Sequence, residues 1–271
     1  ADSQCMSVFC FLLTRHTPRS TLFPYTTLFR SGEAAQWDEA LYKKPVLVQR
    51  GSFRPVTNAT LDVLERALEQ FVREPELNGE TPVVLMEMTL RHLTADDAID
   101  PHDFLDRADT LTPLGKTVLV SNFRRFHRLA AYLSRYPQRP IGLALGASKL
   151  GEIFDEHYYN HNEGELLGGL GQLFKNSSRL YVYPSLDFNT GQVVTAANYP
   201  VPPHLKSLHA HLLENRYLLD IQNSNADCLR IRSRDVLEKI KAGDTTWERL
   251  VPPVILEVIK AKRLFGYRPA G

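Results

Sequence analysis

Cysteine is scarce, with three in 271 residues at positions 5, 10 and 228. Three thiols cannot build a disulfide framework. Charge of one sign is also lacking. Lys+Arg is 32 and Asp+Glu is 31, a formal net charge of +1. That balance gives no electrostatic ground for a nucleic-acid or anionic-membrane partner. No apolar run approaches the roughly 20 residues of a bilayer-spanning helix. Internal repeats and low-complexity linkers are missing, as are a Walker loop and a G-x-S-x-G elbow. What remains is ordinary globular composition, 43% hydrophobic and 23% charged. The length suits one large domain or two small ones.

The beginning of the chain is anomalous. Thr21–Ser31 (TLFPYTTLFRS) resembles one reading frame of a sequencing-library adapter. RHTPRS just before it resembles a corrupted copy of the same primer. A signal peptide is the alternative, with CMSVFCFLL as its apolar core. However, Arg15 and Arg19 follow that core instead of preceding it, and no small-residue cleavage site follows. Residues 1–31 are therefore expected to be foreign and disordered, with one α/β domain over 32–271. The native N-terminus upstream of Gly32 is expected to be missing. Cys228 then stands alone, which suits a reducing, cytoplasmic compartment.

Apolar runs alternate with helical patterns. Strands are expected at Pro45–Arg50, Pro82–Leu90, Lys116–Ser121, Ile141–Leu145 and Arg179–Tyr183. Leu61, Leu64, Leu68 and Phe71 recur at helical spacing and predict a helix over about 60–73. Further helices are expected over 124–136, 164–174, 204–219, 233–242 and 253–263. Gly168, Gly169 and Gly171 weaken the second of these by roughly 1 kcal/mol each relative to Ala. Strands that are apolar throughout, with helices between them, predict a Rossmann-like doubly wound parallel sheet with a helical C-terminal segment. In such a sheet, ligands bind at the carboxyl ends of strands. The loops after Arg50, Ser121, Leu145 and Tyr183 are the places to look.

The loop after the first strand reads Gly51-Ser52-Phe53-Arg54-Pro55-Val56-Thr57-Asn58-Ala59-Thr60, followed by Leu61-Asp62-Val63-Leu64-Glu65-Arg66-Ala67. A glycine turn feeding a helix start is a phosphate-binding arrangement, because the free N–H groups there carry about half a positive charge. This stretch resembles the signature G-(S/T)-F-(D/N)-P-(V/I)-(T/H)-x-G-H of the nucleotidyltransferase superfamily, often followed by L-D-x-x-E-R-A. Two more segments match in order. Ile141–Leu150 (IGLALGASKL) resembles the strand ending in G-A-D-x-L of nicotinate-mononucleotide adenylyltransferases. Ile231–Leu237 (IRSRDVL) resembles that branch's I-S-S-T-x-I-R, followed by LVP at 250–252. The resemblance spans about Pro45 to Gly266.

It implies transfer of AMP from ATP to a mononucleotide, or to another phosphorylated small molecule, with Mg²⁺ bridging the ATP phosphates. Attack is in line, and the protein positions and stabilises charge. The implied site is Thr57 and Thr60 for catalysis. Gly51, Ser52, Phe53, Arg54, Asn58, Gly146, Ser148, Lys149, Arg232, Ser233 and Arg234 are implied for nucleotide and phosphate binding. No protein metal site is expected.

Four positions depart from the pattern. The family's Gly and His are Ala59 and Thr60, its Asp is Ser148, and its final Arg is Leu237. Loss of one well-placed transition-state donor costs about 2.7–4 kcal/mol. Arg54, Lys149, Arg232 and Arg234 stand within or beside the motifs as substitutes. A catalytically inactive nucleotide-binding module of the same fold is therefore the alternative.

Other groupings carry less. His157 and His161 lie four apart beside Asp155, Glu156 and Glu163, a metal-ligand spacing on a helix but a polar turn otherwise. His209 and His211 are expected to be structural. Asn122–Arg128 (NFRRFHR) mixes cations with aromatics, which suits a phosphate or a stacked base but also a basic helix start. Glu87 and His92 are candidates by position alone.

Overall fold

The computed structural model describes residues 27–30, 33–35, 41, 43–89, 94–95, 98–99, 101–135, 139–160 and 164–269. Of the segment expected to be foreign and disordered, Thr27–Arg30 forms strand β1. Its other residues, Cys5 and Cys10 among them, lie outside the described residues.

Strands are β1, β2 (Glu33–Ala35), β3 (Val46–Arg50), β4 (Val83–Thr89), β5 (Thr94–Ala95), β6 (Ala98–Ile99), β7 (Thr117–Ser121), β8 (Ile141–Gly146), β9 (Arg179–Tyr183), β10 (Ser185–Leu186), β11 (Val193–Val194) and β12 (Leu218–Asp220). Helices are α1 (Asn58–Phe71), α2 (Pro101–Leu111), α3 (Phe126–Leu133), α4 (Leu150–Phe154), α5 (Glu165–Leu173), α6 (Lys206–Glu214), α7 (Ser233–Ala242) and α8 (Pro253–Lys262). The main sheet runs β12-β9-β8-β3-β4-β7-β1-β2. The six strands from β12 to β7 are parallel, and β1 pairs antiparallel with β7. This is the doubly wound, Rossmann-like α/β fold. The chain starts in the middle at β3 and moves out through β4 and β7. It returns to β8 beside β3, then moves the other way. The order reverses between β3 and β8.

Two-residue alternation assigns each strand side chain to one of two cores. Val46, Val48, Leu85, Leu119, Leu143, Leu145, Leu180 and Val182 face the layer that includes α3, α5 and α6. Leu47, Met86, Met88, Val120, Ala144 and Tyr181 face α1, α2, α7 and α8. Both faces are covered, which is why the strands read as apolar throughout.

Two elements differ from the sequence reading. The helix expected to run to Leu219 stops at Glu214, and 218–220 is an edge strand. Arg216 takes the left-handed backbone (φ 60), and the Leu180 N–H bonds to the Tyr217 carbonyl at 2.8 Å. Parallel pairing with β9 thus overrides local helix preference. Helix α2 was not expected, because its inward face is partly charged. Asp103 and Arg107 are buried there beside Phe104 and Leu111. Among the described residues, no helix is long and apolar enough to cross a membrane.

Candidate active site

At the reversal point the loops after β3 and β8 leave on opposite faces, which opens a crevice at the carboxyl ends of the strands. Two clefts occupy it. The first, about 530 Å³, lies on the α1 and α7 side. The second, about 420 Å³, lies on the α3 side. They share Arg50, Gly51, Ser52 and Lys149.

The loop after β3 builds the common floor. Gly51 is required there by close approach, since a Cβ would stand 2.7 Å from the Phe53 ring. Phe53 is buried and takes positive φ (49°), which turns its ring inward beneath the loop. Arg107 of α2 donates to the Ser52 carbonyl (3.1 Å) and pairs with Asp103. The loop is thereby tied to a buried ion pair, and its backbone is held for a ligand.

Helix α1 opens under the first cleft with a reciprocal capping box. Thr60 N–H donates to Thr57 Oγ1 at 3.2 Å, and Thr57 N–H donates to Thr60 Oγ1 at 3.2 Å. Both residues line the cleft, while their hydroxyls satisfy the helix start. This is the ordinary structural role of a Thr-x-x-Thr at a helix beginning.

Of the residues implied by the motif resemblance, the first cleft is lined by Gly51, Ser52, Phe53, Thr57 and Thr60 from the β3 side. Gly146, Ser148 and Lys149 contribute from the β8 side, and Arg232 and Ser233 from the start of α7. Arg54, Asn58 and Arg234 do not line it. Arg54 pairs with Asp103, and the Asn58 amide donates to the Arg249 carbonyl at 2.9 Å. Arg234 is exposed on α7. Ala59 borders the cleft, whereas Leu237 packs into the α1-side core.

The opposite wall is the β10–β11 hairpin. Phe188 at its tip lies under the Arg232 guanidinium, 4.1 Å from ring centroid to Cζ. Arg232 also pairs with Asp235 at 2.7 Å. The wall is set by Asp62, which accepts from Tyr183 Oη (2.5 Å) and from the Asn225 N–H (2.9 Å). Burial and the Asp62 carboxylate push the Tyr183 phenol far above its ordinary range. Burial also raises the Cys228 thiol, so this lining residue stays protonated near neutral pH.

Sequence reasoning named Glu87 by position but missed its partner. Arg50 ends β3 directly opposite Glu87 of β4. Its Nε and Nη2 contact the two Glu87 oxygens at 2.5 and 3.1 Å. Nη2 also donates to the Phe123 carbonyl (2.9 Å), and the Ser121 hydroxyl donates to Glu87. The guanidinium lies 4.6 Å from the Phe126 ring centroid. The signal was present as an arginine closing one apolar run and a glutamate inside the next, but their register depends on the sheet.

The remaining groupings are structural or out of view. His157 pairs with Asp155 at 2.9 Å on an exposed turn, while His161 and His92 lie outside the described residues. His209 is buried, with Nε2 2.8 Å from the Ala196 carbonyl. His211 contacts the exposed Asn215 amide. Among the described residues no group of three His, Cys, Asp or Glu side chains could hold a metal ion.

No protein-family model matches this chain, and no curated protein matches it. Among solved structures it is similar to Plasmodium falciparum nicotinic acid mononucleotide adenylyltransferase complexed with APC. The identity is 14%, over 83% of this chain and 98% of that one, with a TM-score of 0.50. The same enzyme complexed with NaAD gives 13% identity, the same coverage and a TM-score of 0.49. At this identity the first likeness shows a shared fold.

Proposed function

We propose that this protein is a nucleotidyltransferase that joins the AMP of ATP to a mononucleotide, with nicotinate mononucleotide as the first acceptor to test. The reading rests on one observation above all. Two adjoining clefts share the Gly51–Ser52 loop and two cationic side chains, Arg50 and Lys149. That provides one space for each of two substrates. In the first cleft, Leu186, Leu229 and Ile231 suit a base, and the Phe188–Arg232 stack gives a flat wall. Its polar floor suits phosphates. In the second, Arg124 stands beside Phe126 and Tyr158, a match for a phosphate attached to a flat ring.

A phosphate oxygen of the acceptor would bond to the α-phosphorus as the bond from that phosphorus to the β-phosphate oxygen breaks. Pyrophosphate leaves with the electron pair. No covalent enzyme intermediate is needed, so the protein contributes alignment and charge. Among the described residues the first cleft carries no carboxylate. Mg²⁺ would therefore arrive with ATP and would supply charge neutralisation to its phosphates. Such a reaction belongs to NAD synthesis, and a lone buried thiol among the described residues suits a reducing, cytoplasmic setting.

The second reading is a nucleotide-binding module without turnover. It is favoured by the Thr57–Thr60 capping box, which occupies the position of the family's His with a closed hydroxyl pair. Among the described residues no His lines either cleft. The test is direct. The full chain is incubated with ATP, Mg²⁺ and nicotinate mononucleotide while pyrophosphate and dinucleotide are followed, with ATP binding measured by calorimetry. Turnover that falls about 10-fold or more in Arg232→Ala supports the transferase. ATP binding without turnover supports the module, and absence of binding removes both.

A further inference from the structure

The two clefts differ in every wall but share one boundary, and the charges on that boundary are Arg50 and Lys149. We propose that Arg50 and Lys149 form a two-cation junction at which the phosphates of both ligands meet, so that each cation serves both binding steps. The proposal rests on the nucleotidyltransferase reading and names the groups that supply the positive charge its motif has lost.

Geometry carries the argument. Arg50 is locked in place and its side chain is only 6% exposed. A guanidinium has five N–H donors. Nε and Nη2 are spent on Glu87 and the Phe123 carbonyl. Nη1 has one long contact, to the Arg124 carbonyl at 3.4 Å. Among the described residues its other N–H has no acceptor, although the side chain borders both clefts. Glu87 is fully buried and makes Arg50 rigid without occupying that last donor. A fixed arginine that needs no reorganisation suits charge that spreads over phosphoryl oxygens.

Lys149 is the complement. It follows β8, is 48% exposed and pairs with Glu152 at 2.6 Å. An exposed pair of this kind is weak, so the ammonium can exchange Glu152 for a phosphate. One buried, held fork and one exposed point charge thus border both clefts. As the acceptor oxygen bonds to the α-phosphorus and pyrophosphate departs, negative charge stays on oxygens at this boundary throughout. No proton has to move.

The distinguishing consequence is shared dependence. Lys149→Met, and the paired replacement Arg50→Met with Glu87→Met, should each weaken ATP and nicotinate mononucleotide alike, by about 10-fold or more in Kd. The paired replacement removes the buried carboxylate along with its partner. Arg232→Ala should weaken ATP alone, and Arg124→Ala the mononucleotide alone. Calorimetry on the full chain with ATP, nicotinate mononucleotide and inorganic tripolyphosphate, each separately, reads all four. Circular dichroism checks folding, and if the paired variant does not fold, Lys149→Met decides. Loss of affinity for both nucleotides in Lys149→Met is the expected result. Unchanged affinity, or loss for one nucleotide only, overturns the junction and leaves the nucleotidyltransferase reading standing. Tripolyphosphate binding that depends on Lys149, in a chain that binds neither nucleotide, supports the junction and overturns that reading. Binding of none of the three overturns both.

Discussion

Thr60 shows how one position can serve the fold while resembling a catalytic one. Its hydroxyl and that of Thr57 close the start of α1 on each other. Thr57→Ala should therefore lower stability by about 1 kcal/mol, the usual cost of an N-cap. Chemical denaturation of the variant reads that directly. His127 makes a second residue-level case. It is 2% exposed, packs at a tilt against Tyr159 with centroids 5.0 Å apart, and among the described residues its Nε2 has no hydrogen-bond partner. Burial, with Arg128 and Arg125 adding to it, pushes its pKa down from 6.5 to about 4. The unfolded chain therefore takes up the proton first as pH falls. Stability is fully present above about pH 6.5 and declines until about pH 4, by on the order of 3 kcal/mol over the window. His127→Phe keeps the ring contact and should remove this part of the pH dependence. Urea unfolding at pH 7, 5.5 and 4.5 should show the gap between the two proteins changing with pH. A constant gap would count against the assignment.

At the scale of elements, α5 is instructive because its glycines are not equivalent. A Cβ at Gly169 would lie 2.1 Å from the Tyr159 ring, whereas nothing lies within 4 Å of one at Gly171. Gly169 is thus the price of close helix packing, whereas Gly171 only adds freedom to the unfolded chain that the helix must give up. Gly169→Ala should destabilise by about 1–3 kcal/mol through overpacking. Gly171→Ala should stabilise by up to about 1 kcal/mol through helix propensity. Thermal melts of the two variants should move in opposite directions. The helical spacing of the segment was legible from its leucines, but which glycine mattered was set by a tyrosine outside the helix.

For the whole molecule, the decisive link is Asp62. It ties α1 to Tyr183 at the end of β9 and to the Asn225 backbone, residues 121 and 163 positions away along the chain. These contacts bring the segment leading to Arg232 and Ser233 against the loop after β3. Asp62→Ala should leave the Asn225 N–H without its acceptor and the Tyr183 hydroxyl with only its long 3.5 Å contact to the Asn225 carbonyl, at about 1–3 kcal/mol for each lost partner. It should also weaken ATP more than the mononucleotide, because it disturbs only the first cleft's wall. The unaltered chain should gain about 2.7 kcal/mol at ATP concentrations 100-fold above Kd. Differential scanning calorimetry with and without ATP reads that gain, and a smaller one is expected in Asp62→Ala at the same concentration.

The sequence by itself determined the layered α/β architecture. Alternating side chains buried on both faces make β3, β4, β7, β8 and β9 apolar along their length, and that composition has few other uses. It also marked the Gly51–Thr60 loop, since a glycine turn before a capped helix is local chemistry. Only the tertiary structure decided the rest. The edge strand β12 depends on the exposed side of β9, and its sequence alone continues a helix. Arg50 and Glu87 lie 37 residues apart and become partners through sheet register. The buried charges of α2 conceal a helix until Ser52 and Arg54 meet them. The common cause is that pairing and burial of charge depend on what lies opposite in space, and the reversal of strand order at β3 and β8 puts distant segments there.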